Sequence, residues 1–294
     1  MNNKLIGISA TLISAIYFGF IPLLMRTVYS LGANTLTVSL LRFLLAVIPC
    51  YIYLKLKGVD LSLTREEIIK IVVVTVFGYG GTTALLFGAY NFIPSGMATT
   101  IHFLYPTFTV LGTIVFFKGD KEKKKIICAV LSLVGVILFY NGDDIGNIEG
   151  MLLALLSSMT YAFYTIYLGK SILKDLNPIK LIFYMNIVAS LMYTIITLGF
   201  SNFTFDLPIK AYLILIVTSI LTTFVGVLGY QIGVKHIGHE NTAILSTFEP
   251  ITSVVVGFIA YNEEFNLKGI IGIILILLST IITSKNVENK KAEP

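Results

Sequence analysis

A carboxylate and a proline stand side by side in the middle of a long apolar stretch of this sequence. The segment reads Ser246-Thr247-Phe248-Glu249-Pro250 and lies within an apolar run over about 242–261. A carboxylate is costly in hydrocarbon, so an acidic residue at such a position faces protein or a water-filled cavity. Pro250 has no backbone N–H to offer the carbonyl of Ser246, which predicts an irregular backbone at the same depth. The combination predicts a binding site inside a membrane domain.

A second segment of this type lies 144 positions earlier, where the chain reads His102-Phe103-Leu104-Tyr105-Pro106. The shift places Pro106 on Pro250, Tyr105 on Glu249 and His102 on Ser246. Polar positions spaced by three or four residues share one face of a helix. Either stripe alone is equally well explained as a packing face with a proline kink. Two stripes at matched positions favour a site between two repeats, with both prolines as helix breaks.

The composition is typical of a protein embedded in a membrane. The chain has 294 residues, of which 56% are hydrophobic and 13% are charged, whereas soluble domains contain about 25% charged residues. Its apolar runs are too long and too numerous for a soluble core, because a helix needs about 20 residues to cross a bilayer. The net charge of +5 does not indicate nucleic-acid binding, since the basic residues fall between these runs.

Ten apolar runs predict an all-α integral membrane fold with ten transmembrane helices. They cover residues 5–25, 35–54, 68–90, 96–117, 126–140, 148–168, 179–200, 212–233, 242–261 and 267–283. The short connections between them leave no room for a separate soluble domain, and the lipid bilayer is the expected surrounding partner.

The internal repeat extends over both halves of the chain. Shifts of 143 or 144 pair Gly7 with Gly150, Ile93 with Ile237 and Gly135 with Ser279. Each half holds five spans, and because five is odd, the second half enters the membrane from the opposite side. We therefore predict two inverted five-helix repeats, over residues 1–141 and 142–285, and a cytoplasmic tail over 286–294.

The distribution of Lys and Arg predicts the orientation of the chain. One side carries 17 of these residues and the other side carries three, namely Arg26, Lys210 and Lys268. Loops rich in Lys and Arg stay in the cytoplasm. Both termini are therefore expected inside, with Asp143 and Asp144 outside, and the expected location is the cell membrane.

This organisation resembles the drug/metabolite transporter superfamily, in particular its ten-helix EamA-type branch, over nearly the whole chain. Three features are similar to motifs of that branch: Arg42-Phe43 in the second run, Glu249-Pro250 in the ninth, and Glu263 with Gly272 nine residues on. The first half departs from the pattern, with Tyr105 before Pro106 and Gly119 where a Glu is common. The resemblance implies a transporter of small organic solutes, often amino acids or related metabolites, by alternating access.

Several residues are candidates for binding the small-molecule substrate or for coupling its movement to protons. Glu249 is predicted to bind an amine or exchange a proton, or to hold its helix in place. The guanidinium of Arg42 suits a carboxylate, but the same residue is also explained as a structural tie between helices. His102 is either a proton relay or a neutral packed imidazole. Ser246 and the aromatic side chains of Tyr79, Tyr105, Tyr161 and Tyr230 complete the set.

Two alternatives to a solute carrier remain open in the sequence. The first is an intramembrane protease or lipid-modifying enzyme that uses Ser95 and His102, although no second oriented base accompanies them. The second is an exporter of the small-multidrug-resistance type. Resemblance to that family would imply a carboxylate in the first helix. Ser14 and Ser157 occupy the matching positions here. We expect no enzyme activity, no cofactor and no metal, because no nucleotide-binding or metal-ligand spacing is present; the oligomeric state stays open.

Overall fold

The protein is described here by a computed structural model that covers residues 3–93, 95–117, 122–138, 147–200, 204–261 and 267–289. These ranges form ten helical segments, which we number in chain order. They are α1 Asn3–Ser30, α2 Thr35–Leu56, α3 Arg65–Ala89, α4 over 95–117, α5 Lys123–Ile137, α6 Ile148–Lys170, α7 Pro178–Phe200, α8 Ile209–Ile237, α9 over 239–261 and α10 Leu267–Asn289. The all-α fold predicted from the apolar runs is confirmed.

Six of these segments are long and apolar enough by themselves to cross a membrane, namely α1, α2, α3, α6, α7 and α8. The other four differ for identifiable reasons. Both α4 and α9 are interrupted near their centres, and α5 has 15 residues beginning with three lysines. In α10 the apolar part covers Ile270–Ser279.

The helices generally extend past the apolar runs, because the backbone can stay helical in the interface beyond the hydrocarbon. The last helix shows the largest difference. We predicted its end at residue 283 and a polar tail over 286–294, but α10 continues to Asn289. Residues 284–289 contain neither Gly nor Pro, so nothing in the local sequence ends the helix earlier. The remainder of that predicted tail lies outside the described residues.

The helices pack in pairs that reflect the internal repeat. The contact between α1 and α8 corresponds to that between α3 and α6, while α2 with α7 and α5 with α10 each join equivalent helices of the two halves. Small residues allow the matched crossings. A Cβ added to Gly7 would lie 2.8 Å from Ile237, and one added to Gly150 would lie 2.8 Å from Ile93. The two halves therefore form two inverted five-helix repeats that pack across a pseudo-twofold axis.

The helix interruptions also repeat. A π-helical segment in α3 begins at Thr75 and one in α8 begins at Ser219, 144 positions later. The break in α4 follows His102, and the 3-10 turn in α9 covers Ser246–Phe248. Non-α-helical backbone at membrane depth occurs where it is buried in protein or lines a cavity. Both halves thus place irregular backbone at the centre of the molecule.

Each predicted helix-breaking proline begins a new helix instead of kinking an old one. Pro106 is the second residue of Tyr105–Phe117, and Pro250 is the second residue of Glu249–Tyr261. The first N–H groups of a helix have no intrahelical partner, so a proline there forfeits no hydrogen bond. The carbonyl of Ser246, which we expected to be left free, accepts a hydrogen bond from the backbone N–H of Glu249.

Candidate functional site

A central cavity of about 90 Å³ lies between the two repeats. Its walls come from α1, α2, α3, α4, α6, α8 and α9, so both halves contribute. The lining residues are Phe18, Ile21, Arg42, Tyr79, Thr82, Thr83, Leu86, Phe87, Tyr90, Thr99, His102, Tyr105, Tyr161, Tyr164, Val227, Tyr230 and Glu249. The four helices that contain an interruption, α3, α4, α8 and α9, all contribute residues to the lining of this cavity.

Seven of the eight residues predicted to bind substrate or couple transport line this one cavity, and Ser246 is the exception. The hydroxyl of Ser246 donates to the carbonyl of Thr242 at 2.9 Å, within its own helix. A serine is too short to reach past this bond to the cavity, whereas the imidazole at the matching position, His102, does reach it. The predicted helix breaks Pro106 and Pro250 are buried beside the site and do not line it.

One wall of the cavity is a continuous aromatic surface. The rings of Tyr105 and Tyr161 meet edge to face, with centroids 4.6 Å apart. Tyr161 also contacts Tyr230 at 5.6 Å, and Tyr164 contacts Tyr79 at 5.8 Å. Tyrosine rings present an electron-rich face that attracts cations, while the hydroxyl supplies a polar tip. This surface suits an organic group that is flat, or that is positively charged.

His102 is held by hydrogen bonding in a defined protonation pattern. Its Nδ1 lies 2.9 Å from Oγ of Ser157, and that hydroxyl donates to the carbonyl of Ala154 at 2.6 Å. Since the serine proton is already committed, Nδ1 must be the donor and Oγ the acceptor. The Ser157 hydroxyl is therefore not activated as a nucleophile by His102, whose Nε2 is left as the candidate acceptor toward the cavity.

Arg42 is buried on α2, with 6% of its surface exposed. Its guanidinium carbon stacks 4.9 Å from the ring centroid of Phe43 and 5.4 Å from that of Phe87. Within the described ranges Nε has no hydrogen-bond partner, and the nearby hydroxyl of Tyr79 has none either. Two buried donors without acceptors form a place where a carboxylate of a ligand would be stabilised.

Glu249 lies half-buried at the start of the second segment of α9, where it faces the same cavity. The backbone around it is pressed against α1, because a Cβ added to Gly19 would lie 2.9 Å from the carbonyl oxygen of Glu249. Among the described residues, Arg42 and Glu249 form no ion pair with each other or with another side chain. The cavity thus holds one basic and one acidic side chain, and neither forms an ion pair within the part of the chain that the structure describes.

Several polar lining residues were missed in the sequence, although a signal for them exists. Thr83 and Tyr90 lie on the same face of α3 as the predicted Tyr79, because positions 79, 83, 86 and 90 step by four, three and four residues. Thr82 bonds Thr160 of α6 at 2.8 Å, and Tyr90 bonds Thr99 at 3.3 Å. A search for a polar stripe along α3 would have found Thr83 and Tyr90, whereas Thr82 and Thr99 lie outside that stripe.

The described residues contain no group of three or more His, Cys, Asp and Glu side chains that could hold a metal ion. The two cysteines, Cys50 and Cys128, are both buried free thiols. Glu263 and Gly119, which entered the comparison with the family's motifs, lie outside the described ranges. The site is therefore defined by charged, aromatic and hydroxyl side chains.

Comparison with known proteins supports the architecture. A solved crystal structure matches with a TM-score of 0.81 at 16% identity, covering 97% of this chain and 99% of that chain. An uncharacterized transporter of Synechocystis sp. is 27% identical, covering 95% of this chain and 93% of its own length. The uncharacterized transporter YyaM of Bacillus subtilis is 22% identical over 82% of this chain and 81% of its own length. UDP-galactose/UDP-glucose transporter 7 of Arabidopsis thaliana is 22% identical over 74% of this chain and 70% of its own length.

The EamA-like transporter family matches the chain twice, over residues 5–141 and again over 148–285. These two matches correspond to the two sets of five helices that pack around the cavity. The resemblance drawn from Arg42-Phe43 and Glu249-Pro250 is confirmed at the level of the family. The chain therefore belongs to the EamA-like transporter family and is a membrane-embedded transporter built from two copies of that family's unit.

Proposed function

We propose that the protein is a secondary exporter of small zwitterionic solutes, such as amino acids or related metabolites, and that it works by alternating access. The observation that carries this proposal is the pair of unmatched charges in one cavity. Arg42 and Glu249 both line it, and neither forms an ion pair among the described residues. Buried charges are stabilised by partners, and a solute with one acidic and one basic group supplies both.

The remaining wall supports the same class of solute. The amine would lie near Glu249 and the tyrosine rings, where cation–π attraction adds to the charge interaction. The carboxylate would accept from Arg42 and Tyr79, whose buried donors lack partners. Large anions such as nucleotide sugars fit this arrangement poorly, because Glu249 would repel their phosphates. The plant relative is named as a transporter of such solutes.

We place the protein in the cell membrane with both termini in the cytoplasm. The support is the excess of Lys and Arg on the face that carries the connections α2–α3, α4–α5, α6–α7 and α8–α9. We call this the Lys-rich face. Tyr90 and Thr99 line the cavity near the ends of α3 and α4 that lie away from the Lys-rich face, which supports an opening toward the other face. Protons are the proposed coupling ion, and Glu249 is the proposed carrier of their charge.

The test is solute flux in proteoliposomes that contain the purified protein. Each of a panel of amino acids is compared with its decarboxylated amine and with its deaminated acid, with and without a pH gradient. We expect flux of the zwitterion and weak or no flux of either single-charge analogue. Arg42→Gln should reduce this discrimination against the amine. A preference for UDP-sugars, or hydrolysis of a lipid or peptide without any solute flux, would overturn the proposal.

A further inference from the structure

A buried polar cluster joins the two repeats at the Lys-rich face, away from the central cavity. Nζ of Lys125, at the start of α5, makes a short ion pair with Oε2 of Glu240, at the start of α9. A second carboxylate, Glu122, lies 3.6 Å from the same ammonium. The side chains of Lys125 and Glu240 are only 13% and 10% exposed, so this is a desolvated pair and differs from an ordinary surface contact.

The residue next to Glu240 makes a second bond between the halves. Nε2 of His239 lies 2.9 Å from Oγ1 of Thr113 on α4, and this hydroxyl donates to the carbonyl of Thr109 at 2.8 Å. Nε2 must therefore be the donor to Thr113. On its other side His239 packs against α6, because a Cβ added to Gly169 would lie 2.6 Å from Nδ1. The first turn of α9 is thus clamped between α4, α5 and α6.

The repeat does not reproduce this cluster at the opposite face. A shift of 144 places Gly96 at the position that matches Glu240 and Gly269 at the position that matches Lys125. Neither member of the pair has an equivalent there, and the neighbouring Lys268 is exposed. Two inverted repeats exchange conformations when the carrier turns over. The cluster therefore stabilises one conformation only.

We propose that Lys125 and Glu240 form a latch that closes the Lys-rich face and must open once in every transport cycle. The inference rests on the proposed function, because a latch has meaning only in a carrier whose two faces open in turn. Both residues are positioning residues, since neither lines the central cavity. Their pair sets the balance between the two conformations and thereby the rate at which the cavity reaches the Lys-rich face.

The test measures from which face of the membrane single cysteines are labelled. The protein's own thiols are first removed by the substitutions Cys50→Ala and Cys128→Ala. Thr99→Cys reports the cavity side, because Thr99 lines the cavity. Thr109→Cys reports the path to the Lys-rich face, because Thr109 is fully buried below the latch. An impermeant maleimide is added from each side of oriented proteoliposomes. Glu240→Gln removes the charge of the latch and keeps its shape.

We expect Glu240→Gln to speed labelling of Thr109→Cys from the Lys-rich face and to slow labelling of Thr99→Cys from the other. Coupling free energies between two sites of a protein typically correspond to about 5- to 150-fold, and we expect the labelling rates to change by a factor in that range. The exchanged pair, Lys125→Glu with Glu240→Lys, should restore both rates toward those of the parent. Glu66→Gln is the matched control, because it breaks the exposed Lys70–Glu66 pair on α3 and should change neither rate.

Thermal unfolding of each variant separates a loss of folding from a shift between conformations. If Glu240→Gln unfolds at the parent's temperature and leaves both labelling rates unchanged, the latch is wrong while the proposed transport is untouched. If Glu240→Gln is unstable, the exchanged pair is measured instead. An exchanged pair that is as stable as the parent but does not recover the parent's labelling rates also overturns the latch. A parent that binds no zwitterion and moves none contradicts the proposed function instead.

Discussion

At the scale of single residues, the site combines charges that are normally kept apart from hydrocarbon. Glu249 has no cationic partner among the described side chains, and Arg42 has no carboxylate. Tyrosine rings and threonine hydroxyl groups line the same cavity. Structural carboxylates in membranes are usually paired with a nearby cation or with backbone donors. The geometry therefore favours a binding or coupling role for Glu249 over a purely structural one.

Replacing Glu249 by Gln should weaken binding of amine-containing solutes by about ten- to a hundredfold, since a hydrogen bond to a charged group contributes about 1.5–3 kcal/mol. Gln keeps the shape and the hydrogen-bonding capacity of Glu but removes its charge. Affinity is measured by protection of Thr99→Cys from labelling, as a function of solute concentration. Glu149→Gln, at the exposed start of α6, is the control and should leave the affinity unchanged.

The same variant separates two roles for the carboxylate. If Glu249 carries the coupling proton, flux of Glu249→Gln loses its dependence on the pH gradient. If it only binds the substrate amine, the affinity falls while the pH dependence of residual flux is retained. A folded Glu249→Gln protein with parental affinity and parental pH dependence would show that Glu249 is structural.

The sequence predicted most of this site because polar residues are rare in its membrane spans. Glu249, Arg42 and His102 stand out in apolar runs, and all three line the cavity. Ser246 does not line the cavity, because helical spacing places a residue on a face but does not determine whether its side chain extends beyond its own backbone. Thr82 and Thr99 were missed because threonine hydroxyls usually bond their own helix, so their types alone carry no signal.

At the scale of helices, glycine determines how closely the repeats approach. Gly226, Gly229 and Gly233 lie on one face of α8, and all three meet α1. A Cβ added to them would lie 2.8 Å from Phe18, 2.6 Å from the carbonyl oxygen of Ala10 and 2.1 Å from Oγ1 of Thr11, respectively. A contact with backbone cannot be relieved by rotating a side chain, so Gly229 is the most restricted of the three.

Gly229→Ala should therefore destabilise the protein by about 1–3 kcal/mol, the usual cost of overpacking a tight interface. The added methyl group must push α1 away from α8. The change is measured as a lower midpoint of thermal unfolding in detergent. Gly199→Ala on α7 is the control, because a Cβ there meets nothing within 4 Å, and the two variants should differ clearly. Equal midpoints would argue against the close approach of α1 and α8.

The two halves are expected to move relative to each other at the Lys-rich face. A short bis-methanethiosulfonate cross-link between Thr113→Cys and His239→Cys should abolish flux, and a reductant should restore it, because Oγ1 of Thr113 and Nε2 of His239 lie 2.9 Å apart across the two halves. Flux in proteoliposomes is the measurement. A cross-link between Glu66→Cys and Lys70→Cys, within α3, should have no effect. Full flux in the cross-linked Thr113–His239 protein would rule out movement at this interface.

Helix order and the repeat followed from the sequence, but the form of the interruptions did not. Apolar length and the 144-residue shift fixed which segments correspond. The π-helical segments at Thr75 and Ser219 have no proline or charge to mark them, because they depend on packing between the halves. The prolines were predicted as helix breaks in α4 and α9, and each is the second residue of a new helical segment.

At the scale of the whole molecule, the inverted repeat predicts a fixed topology in the bilayer. Each half has an odd number of spans, so the connection between α5 and α6 lies at the outer face and the second half enters the membrane from there. Single cysteines replacing Asp144 and Lys123 should react with an impermeant reagent from opposite sides in intact cells. The orientation follows from the excess of Lys and Arg on one face. Labelling of Lys123→Cys from outside would reverse it.

The account as a whole claims that one cavity between two repeats carries a solute by turning from one face to the other. Counterflow in proteoliposomes tests this most directly. Vesicles loaded with an unlabelled zwitterion should transiently accumulate the radiolabelled compound above its equilibrium level, because a carrier exchanges solute faster than it returns empty. Glu249→Gln should raise the solute concentration that is needed to produce the overshoot, because it weakens binding. Simple equilibration of the label without any overshoot, for a zwitterion that protects Thr99→Cys, would contradict a carrier mechanism.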